Sequence, residues 1–247
     1  MRLSFRPLPA FTALSVLMLA VLIGLGTWQV QRLHWKLGLI AEVNRNLSLP
    51  PVSLDAALAM GKAAEYRRVV LTGRFDHAKE AYVFGTAAGA PVYHVVTPLV
   101  TEDGRVLLVD RGIVPQEKRD PTTRRIGQVK GLTRVVGVWR TPDPPGFFTP
   151  TPDAAHRVWY SRDVKAIAAA DHVTLAAPVM VEADIAPNPG GWPEGGHTVV
   201  TFQNNHLQYA VTWFGLALTL LGVYIAFHVQ KGRLGLGDDL SSRTRPR

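Results

Sequence analysis

Two long uncharged runs, one near each terminus, frame a middle region in which short apolar stretches alternate with turn residues. From Pro7 to Gln31 there are 25 residues without Asp, Glu, Lys or Arg. A helix of that length reaches ~37 Å, enough to cross the hydrocarbon core of a bilayer with some tilt. The run Leu207–Val229 is equally free of charge and holds one imidazole, His228, near its end. Apolar on all faces, it reads as a second span rather than a soluble core helix. A cleaved signal peptide is the alternative for the first run, because Arg2 and Arg6 give it a basic start. Its apolar core is long and runs into Gly26, Trp28 and Gln29 without a clear small-x-small cleavage site, which favours a retained anchor.

The middle reads as mostly β. Tyr66–Phe75 places Val69, Leu71 and Phe75 on one face of a strand. Pro91–Val100 and Arg105–Arg111 flank Glu102-Asp103-Gly104, and Asp-Gly between apolar runs signals a hairpin. Leu132–Trp139 and Pro178–Ala183 are further strand-like runs, and Arg162–Ala170 reads as a helix with Ser161 as a possible cap. Pro-rich Thr141–Pro152 and Gly/Pro-rich Pro187–Gly196 are loops, the second returning the chain to the bilayer. The expected fold class is therefore an α+β membrane protein. Two transmembrane helices (7–31 and 207–229) flank a mainly antiparallel β domain, barrel- or sandwich-like, over 32–206. Residues 1–6 and a basic tail, 230–247, complete the chain.

Charge adds orientation. The net charge of +8 would ordinarily suggest nucleic acid. However, the two ends hold seven basic residues against two acidic ones (Asp238 and Asp239), while the middle is nearly balanced. Basic short flanks stay in the cytoplasm and a long loop translocates largely regardless of its charge. Both termini are thus expected in the cytoplasm and the large domain in the periplasm of a bacterial inner membrane, with the lipid bilayer as a partner and nucleic acid excluded. The absence of cysteine rules out disulfides, thiolate metal sites and a thiol nucleophile.

Catalytic motifs are missing. There is no Gly-x-Ser-x-Gly, His-Glu-x-x-His or phosphate loop. The domain histidines His77, His94, His156, His172 and His197 lack metal-ligand spacing and read as exposed or hydrogen-bonded. Lys118, Arg119, Arg124, Arg125 and Lys130 form a basic loop without interleaved aromatics, which reads as a solvated loop or a docking patch. A membrane-anchored hydrolase, with Ser161 as the serine to test, ranks last because no serine sits in a nucleophile elbow.

The span borders are more informative. The first run exits through Gly26-Thr27-Trp28-Gln29, then Arg32, Trp35 and Lys36; the second is entered through Asn204-Asn205-His206-Leu207-Gln208-Tyr209-Ala210, then Trp213. His206, Tyr209, Ala210 and Trp213 share one helix face, and Gln29 aligns with Arg32. Polar groups at a bilayer edge usually have a partner or a function. One reading is a pair of interfacial belts with interhelical hydrogen bonds. The other is a haem site: His206 as axial ligand to the iron, Trp28, Tyr209 and Trp213 as apolar surface, Arg32 and Lys36 near the propionates. His34, two positions from Arg32, falls on the opposite side and is the weaker ligand.

These borders resemble the Surfeit-locus family of cytochrome oxidase assembly factors, and so do several internal blocks. The similarity runs from Gly26-x-Trp28-Gln29-x-x-Arg32-x-x-Trp35-Lys36 through Tyr66-Arg67-Arg68-Val69, Gly73-x-Phe75 and Thr97-Pro98-Leu99. It continues with Val109-Asp110-Arg111-Gly112-Ile113-Val114-Pro115, Phe148–Pro152, Trp159-Tyr160-x-x-Asp163 and the Asn204–Ala210 block. Ile113 departs from the aromatic common before Val-Pro in the family. The resemblance implies a non-catalytic inner-membrane protein that assists insertion or stabilisation of haem a in the catalytic subunit of a haem-copper terminal oxidase. It places the haem histidine at His206 and suggests haem a synthase as a further partner. The alternative is a membrane scaffold that stabilises oxidase assembly intermediates and binds no cofactor.

Overall fold

The computed structural model describes residues 2–142, 145–198 and 202–237. In chain order the elements are β1 (Arg2–Phe5), α1 (Pro9–Ser48), β2 (Val52–Ser53), α2 (Leu54–Met60), β3 (Arg68–Phe75), β4 (Ala81–Ala87) and β5 (Ala90–Thr101). They continue with β6 (Val106–Pro115), β7 (Thr133–Arg140), β8 (Val158–Trp159), α3 (Val164–Ala170), β9 (Met180–Ala183), α4 (His206–Gln230) and β10 (Leu234–Gly237). The chain forms two compact units: residues 1–41 with 202–247, and residues 42–201.

In the first unit, α1 and α4 are both long and apolar enough to cross a membrane. Pro9 opens α1, a position where its missing N–H costs nothing. The helix does not stop at Gln31, where the uncharged run ends, but continues to Ser48. Charge ends the apolar stretch, yet Arg32-Leu33-His34-Trp35-Lys36-Leu37 contains nothing that breaks a helix. The stop comes at the Pro50-Pro51 pair, which disfavours helical geometry in the residue before it. At the other ends of the helices β1 pairs antiparallel with β10, Leu3 opposite Leu236. The sequence reading assigned no structure to either segment. The last ten residues of the expected basic tail, 238–247, lie outside the described residues.

The second unit is built on one eight-stranded sheet in the order β2-β3-β7-β9-β6-β5-β4-β8, with a further pairing of β3 to β5. That pairing closes β3, β7, β9, β6 and β5 into a small barrel. Leu71 faces Val135 across β3–β7, and Gly73 faces Thr101 across β3–β5. The sheet is mainly antiparallel as expected, but β2–β3, β4–β8 and β6–β9 run parallel. Alternate residues fill the interior: Val69 and Leu71, Leu107 and Val109, Val179 and Val181, all buried with Leu99 and Trp139. The opposite face of β6 and β9 sends Leu108 and Met180 into a second core with Val83, Trp159 and Ile167 of α3. Strand β6 is thus covered on both faces, which accounts for its continuous apolar run.

Two helical details depart from expectation. The cap of α3 is Asp163, not Ser161; its carboxylate accepts from the N–H groups of Lys165 and Ala166 at 3.1 and 3.0 Å. A second helix, α2, starts at Ser53, whose hydroxyl accepts from the Ala56 N–H at 3.3 Å. Its seven alanine-rich residues show too short a period to be read from the sequence.

Within β6, the Asp110-Arg111-Gly112 segment is held to the loop before α4: the neighbouring Ile113 N–H donates to the Glu194 carbonyl at 2.9 Å. Gly112 has φ +122°, and a Cβ there would lie 1.9 Å from the Glu194 carbonyl oxygen. Backbone strain of this kind costs about 1–3 kcal/mol before the clash is counted. Gly112→Ala should therefore lower the domain's melting temperature by roughly 2–12 °C. An unchanged melt would show that the loop yields freely.

Candidate functional site

In the first unit the interface of α1 and α4 is built from the small residues and the polar pair that mark the span borders. Gly26 and Ala210 are buried between the helices, and a Cβ on Gly26 would meet the Phe214 ring at 2.7 Å. Gly26 therefore sets how closely the helices approach. One turn further along α1, buried Gln29 faces His206, the first residue of α4. The His206 Nδ1–H donates to Gln29 Oε1 at 2.7 Å. This bond fixes the tautomer: with the proton on Nδ1, Nε2 carries the free lone pair, the form in which imidazole ligates metals.

The structure brings Gln29 and His206 together, 177 positions apart in sequence. It treats the other expected site residues differently. Arg32 is exposed and lies against aromatic faces, its guanidinium carbon 4.7 Å from the Trp35 ring centroid and 6.0 Å from that of Trp28. Lys36 Nζ sits 5.0 Å from the Phe202 ring. Trp28 and Tyr209 leave about half of their surface open (50% and 53%), so they flank the pair rather than fill the space between the helices. Trp213 is half-buried and its indole Nε1–H has no partner among the described residues.

A Gly26→Val change should push Phe214 and α4 away from α1. Overpacking costs about 1–3 kcal/mol. Since the chain has no cysteine of its own, a Gln29→Cys, His206→Cys pair can be joined by a bridging thiol reagent. Adding Gly26→Val should cut the yield roughly tenfold, as ~1.4 kcal/mol is a factor of ten. An equal yield would mean that Gly26 does not set the spacing.

At the opposite end of the same two helices lies a cluster that the sequence reading passed over. Thr12 Oγ1 and the Tyr224 hydroxyl are 2.8 Å apart, and the rings of Phe5, Phe11, Tyr224 and Phe227 surround His228, which is fully buried. His228 Nδ1–H donates to the Tyr224 carbonyl at 2.9 Å. The only available signal was the lone imidazole near the end of an otherwise apolar run.

The second unit carries a buried charge cluster. Glu80 lies just ahead of β4 and is 3% exposed; it accepts from Arg124, from Gln128 at 3.2 Å and from the Tyr82 hydroxyl at 2.9 Å. Arg124 is itself buried, which corrects the expectation that its basic loop is simply solvated. Burial alone would raise the Glu80 carboxyl, but the bonds and charge of Arg124, with Gln128 and Tyr82, outweigh it and hold it below its ordinary value. Burial and the adjacent Glu80 charge push the Tyr82 phenol up.

Asp110 organises a second polar group. It accepts from His94 Nδ1 at 2.8 Å and from the Gly112 N–H at 3.0 Å. Ser161 lines the same cleft as His94, yet no hydrogen bond joins them; instead Arg162 sits 3.4 and 3.5 Å from the two imidazole nitrogens. A nucleophile–base pair is therefore not assembled there among the described residues. No cluster of three or more metal-ligating side chains occurs among the described residues either.

Two apolar helices clasped by an imidazole–amide bond, with a closed β domain inserted between them in sequence, define a membrane-anchored β-domain protein. The SURF1 family matches residues 16–218 of this chain. Surfeit locus protein 1 of Mus musculus is 40% identical over 213 residues, covering 80% of this chain and 69% of the mouse protein. Surfeit locus protein 1 of Takifugu rubripes is 37% identical over 229 residues (86% and 94%), and the SURF1-like protein of Monosiga brevicollis 35% over 239 (91% and 90%). The chain belongs to the SURF1 family.

Proposed function

We propose that this protein is an assembly factor for a haem-copper terminal oxidase and that it holds haem a at the border of its two helices while the catalytic subunit is loaded. In this reading the protein lies in the inner membrane with both termini cytoplasmic and the β domain periplasmic. The oxidase catalytic subunit is its client, and haem a synthase is the upstream partner. The family membership supports the general role. The observation that carries the haem reading is the His206–Gln29 bond, because it leaves Nε2 as a lone-pair donor.

The surrounding residues fit the cargo. Trp28, Tyr209 and Trp213 offer flat apolar surface, and Arg32 is a cation without a carboxylate partner among the described residues, suited to a propionate. Haem, when bound, would supply an iron able to take an imidazole ligand, and His206 with Trp28, Tyr209 and Trp213 would supply that imidazole and the apolar surroundings. No chemical step is needed from the chain, which acts by binding and release.

The same bond also supports the scaffold reading, as an interhelical clasp. Its magnitude argues against that as its sole purpose, since such bonds contribute only ~0.6 kcal/mol on average to helix association in a bilayer. Deleting the protein from cells that make haem a should lower the haem a content per oxidase catalytic subunit, and the wild-type gene should restore it. Fully loaded oxidase in the deletion strain would refute the proposal.

A further inference from the structure

Beside the barrel, residues of β3, β6 and β7 and the segment after β9 enclose a cavity of about 200 Å³ lined by Phe75, Arg111, Thr133, Arg134, Asp184 and Asn188. Its charge does not balance. Arg111 is 2% exposed; its Nη2–H donates to the Gly127 carbonyl, but Nη1 has no hydrogen-bond partner. The nearest carboxylate oxygen, Glu80 Oε2, is 3.8 Å away, and Glu80 is already committed to Arg124, Gln128 and Tyr82. Two buried arginines thus share one carboxylate.

The other acid of the lining, Asp184, is taken by Arg68, whose Nε and Nη2 donate at 3.1 and 2.5 Å. Arg134 adds an exposed positive charge. The Arg111 guanidinium is held against the Phe75 ring, 4.8 Å from its centroid, so it cannot swing to find another acceptor without losing that contact. Burial lowers its pKa to about 10, which still leaves it charged at neutral pH. A buried guanidinium with an unmade hydrogen bond is costly, and the group that best relieves it is an oxyanion in the cavity.

We propose that this cavity is a binding site for a small oxyanion, a carboxylate or phosphate, held through the free Nη1–H of Arg111. The site is separate from the helix border and stands whether or not haem is bound there.

The test uses the full chain in detergent, melted in increasing phosphate or acetate against sodium chloride of equal ionic strength. Wild type should be stabilised saturably by at least one of the two oxyanions beyond the salt control. Because replacing Arg111 also removes the contact with Phe75, the deciding variant is Ala186→Trp, at the exposed mouth of the cavity. It should retain the wild-type far-UV circular dichroism spectrum and lose at least tenfold in apparent anion affinity. A wild-type shift no larger than that of chloride would leave water as the occupant and overturn the proposal. Equal anion stabilisation of a folded Ala186→Trp variant would overturn it as well.

Discussion

Replacing Glu80 with alanine is expected to destabilise the β domain by about 3–5 kcal/mol, the usual consequence of removing one partner from a buried ion pair. The variant leaves Arg124, 4% exposed, and Arg111 without their shared carboxylate. For a domain of this size the loss corresponds to a fall of roughly 6–20 °C in melting temperature. The pH dependence gives a second readout. Because the folded Glu80 carboxyl is held below its ordinary value of 4.5, its contribution is complete above about pH 4.5 and is lost as the pH falls below that through the folded pKa. Wild type should thus lose stability steeply on acidification below pH 4.5, and the alanine variant less steeply. Equal melting temperatures at neutral pH would show that the cluster is solvated and contributes little.

Much of this architecture is legible in the sequence because it rests on local patterns. The alternation of Val69 and Leu71 and the Asp103-Gly104 turn place β3, β5 and β6 close to where they occur. The closure of the barrel is not legible, since it depends on Gly73 approaching the backbone of Val100. A Cβ there would lie 2.5 Å from the Val100 carbonyl oxygen, so the glycine is a requirement of the β3–β5 contact and not of a turn. Arg124 looks like any loop arginine because its partner, Glu80, lies 44 positions earlier.

The candidate site shows the same division. Each border cluster is visible as polar and aromatic residues interrupting an apolar run, and helix periodicity puts His206 on the face of Ala210. That Gln29, rather than Arg32, meets the imidazole could not be read from either helix alone. Both residues lie on one side of α1, but the long guanidinium lies along Trp28 and Trp35 while the shorter amide points between the helices.

His206→Ala is expected to have the largest effect on function. It removes the imidazole whose Nδ1 proton is held by Gln29 of the neighbouring helix, while leaving Gly26, Ala210 and the close helix contact in place. The lost interhelical bond weakens association by only about 0.6–1.7 kcal/mol, so the helix pair and the β domain should persist. If His206 ligates haem as proposed, its loss would in contrast remove the specific attachment of iron. Gln29→Leu should be intermediate, because the imidazole remains but its Nδ1 proton is no longer held; loss of such a supporting bond typically costs 10–100-fold in metal affinity.

The most direct measurement is the visible absorption spectrum of the protein purified from cells that make haem a, with and without His206. The haem-site account predicts a haem band in the wild type and a colourless, folded His206→Ala variant. A colourless wild type, or the same band in both proteins, would contradict it.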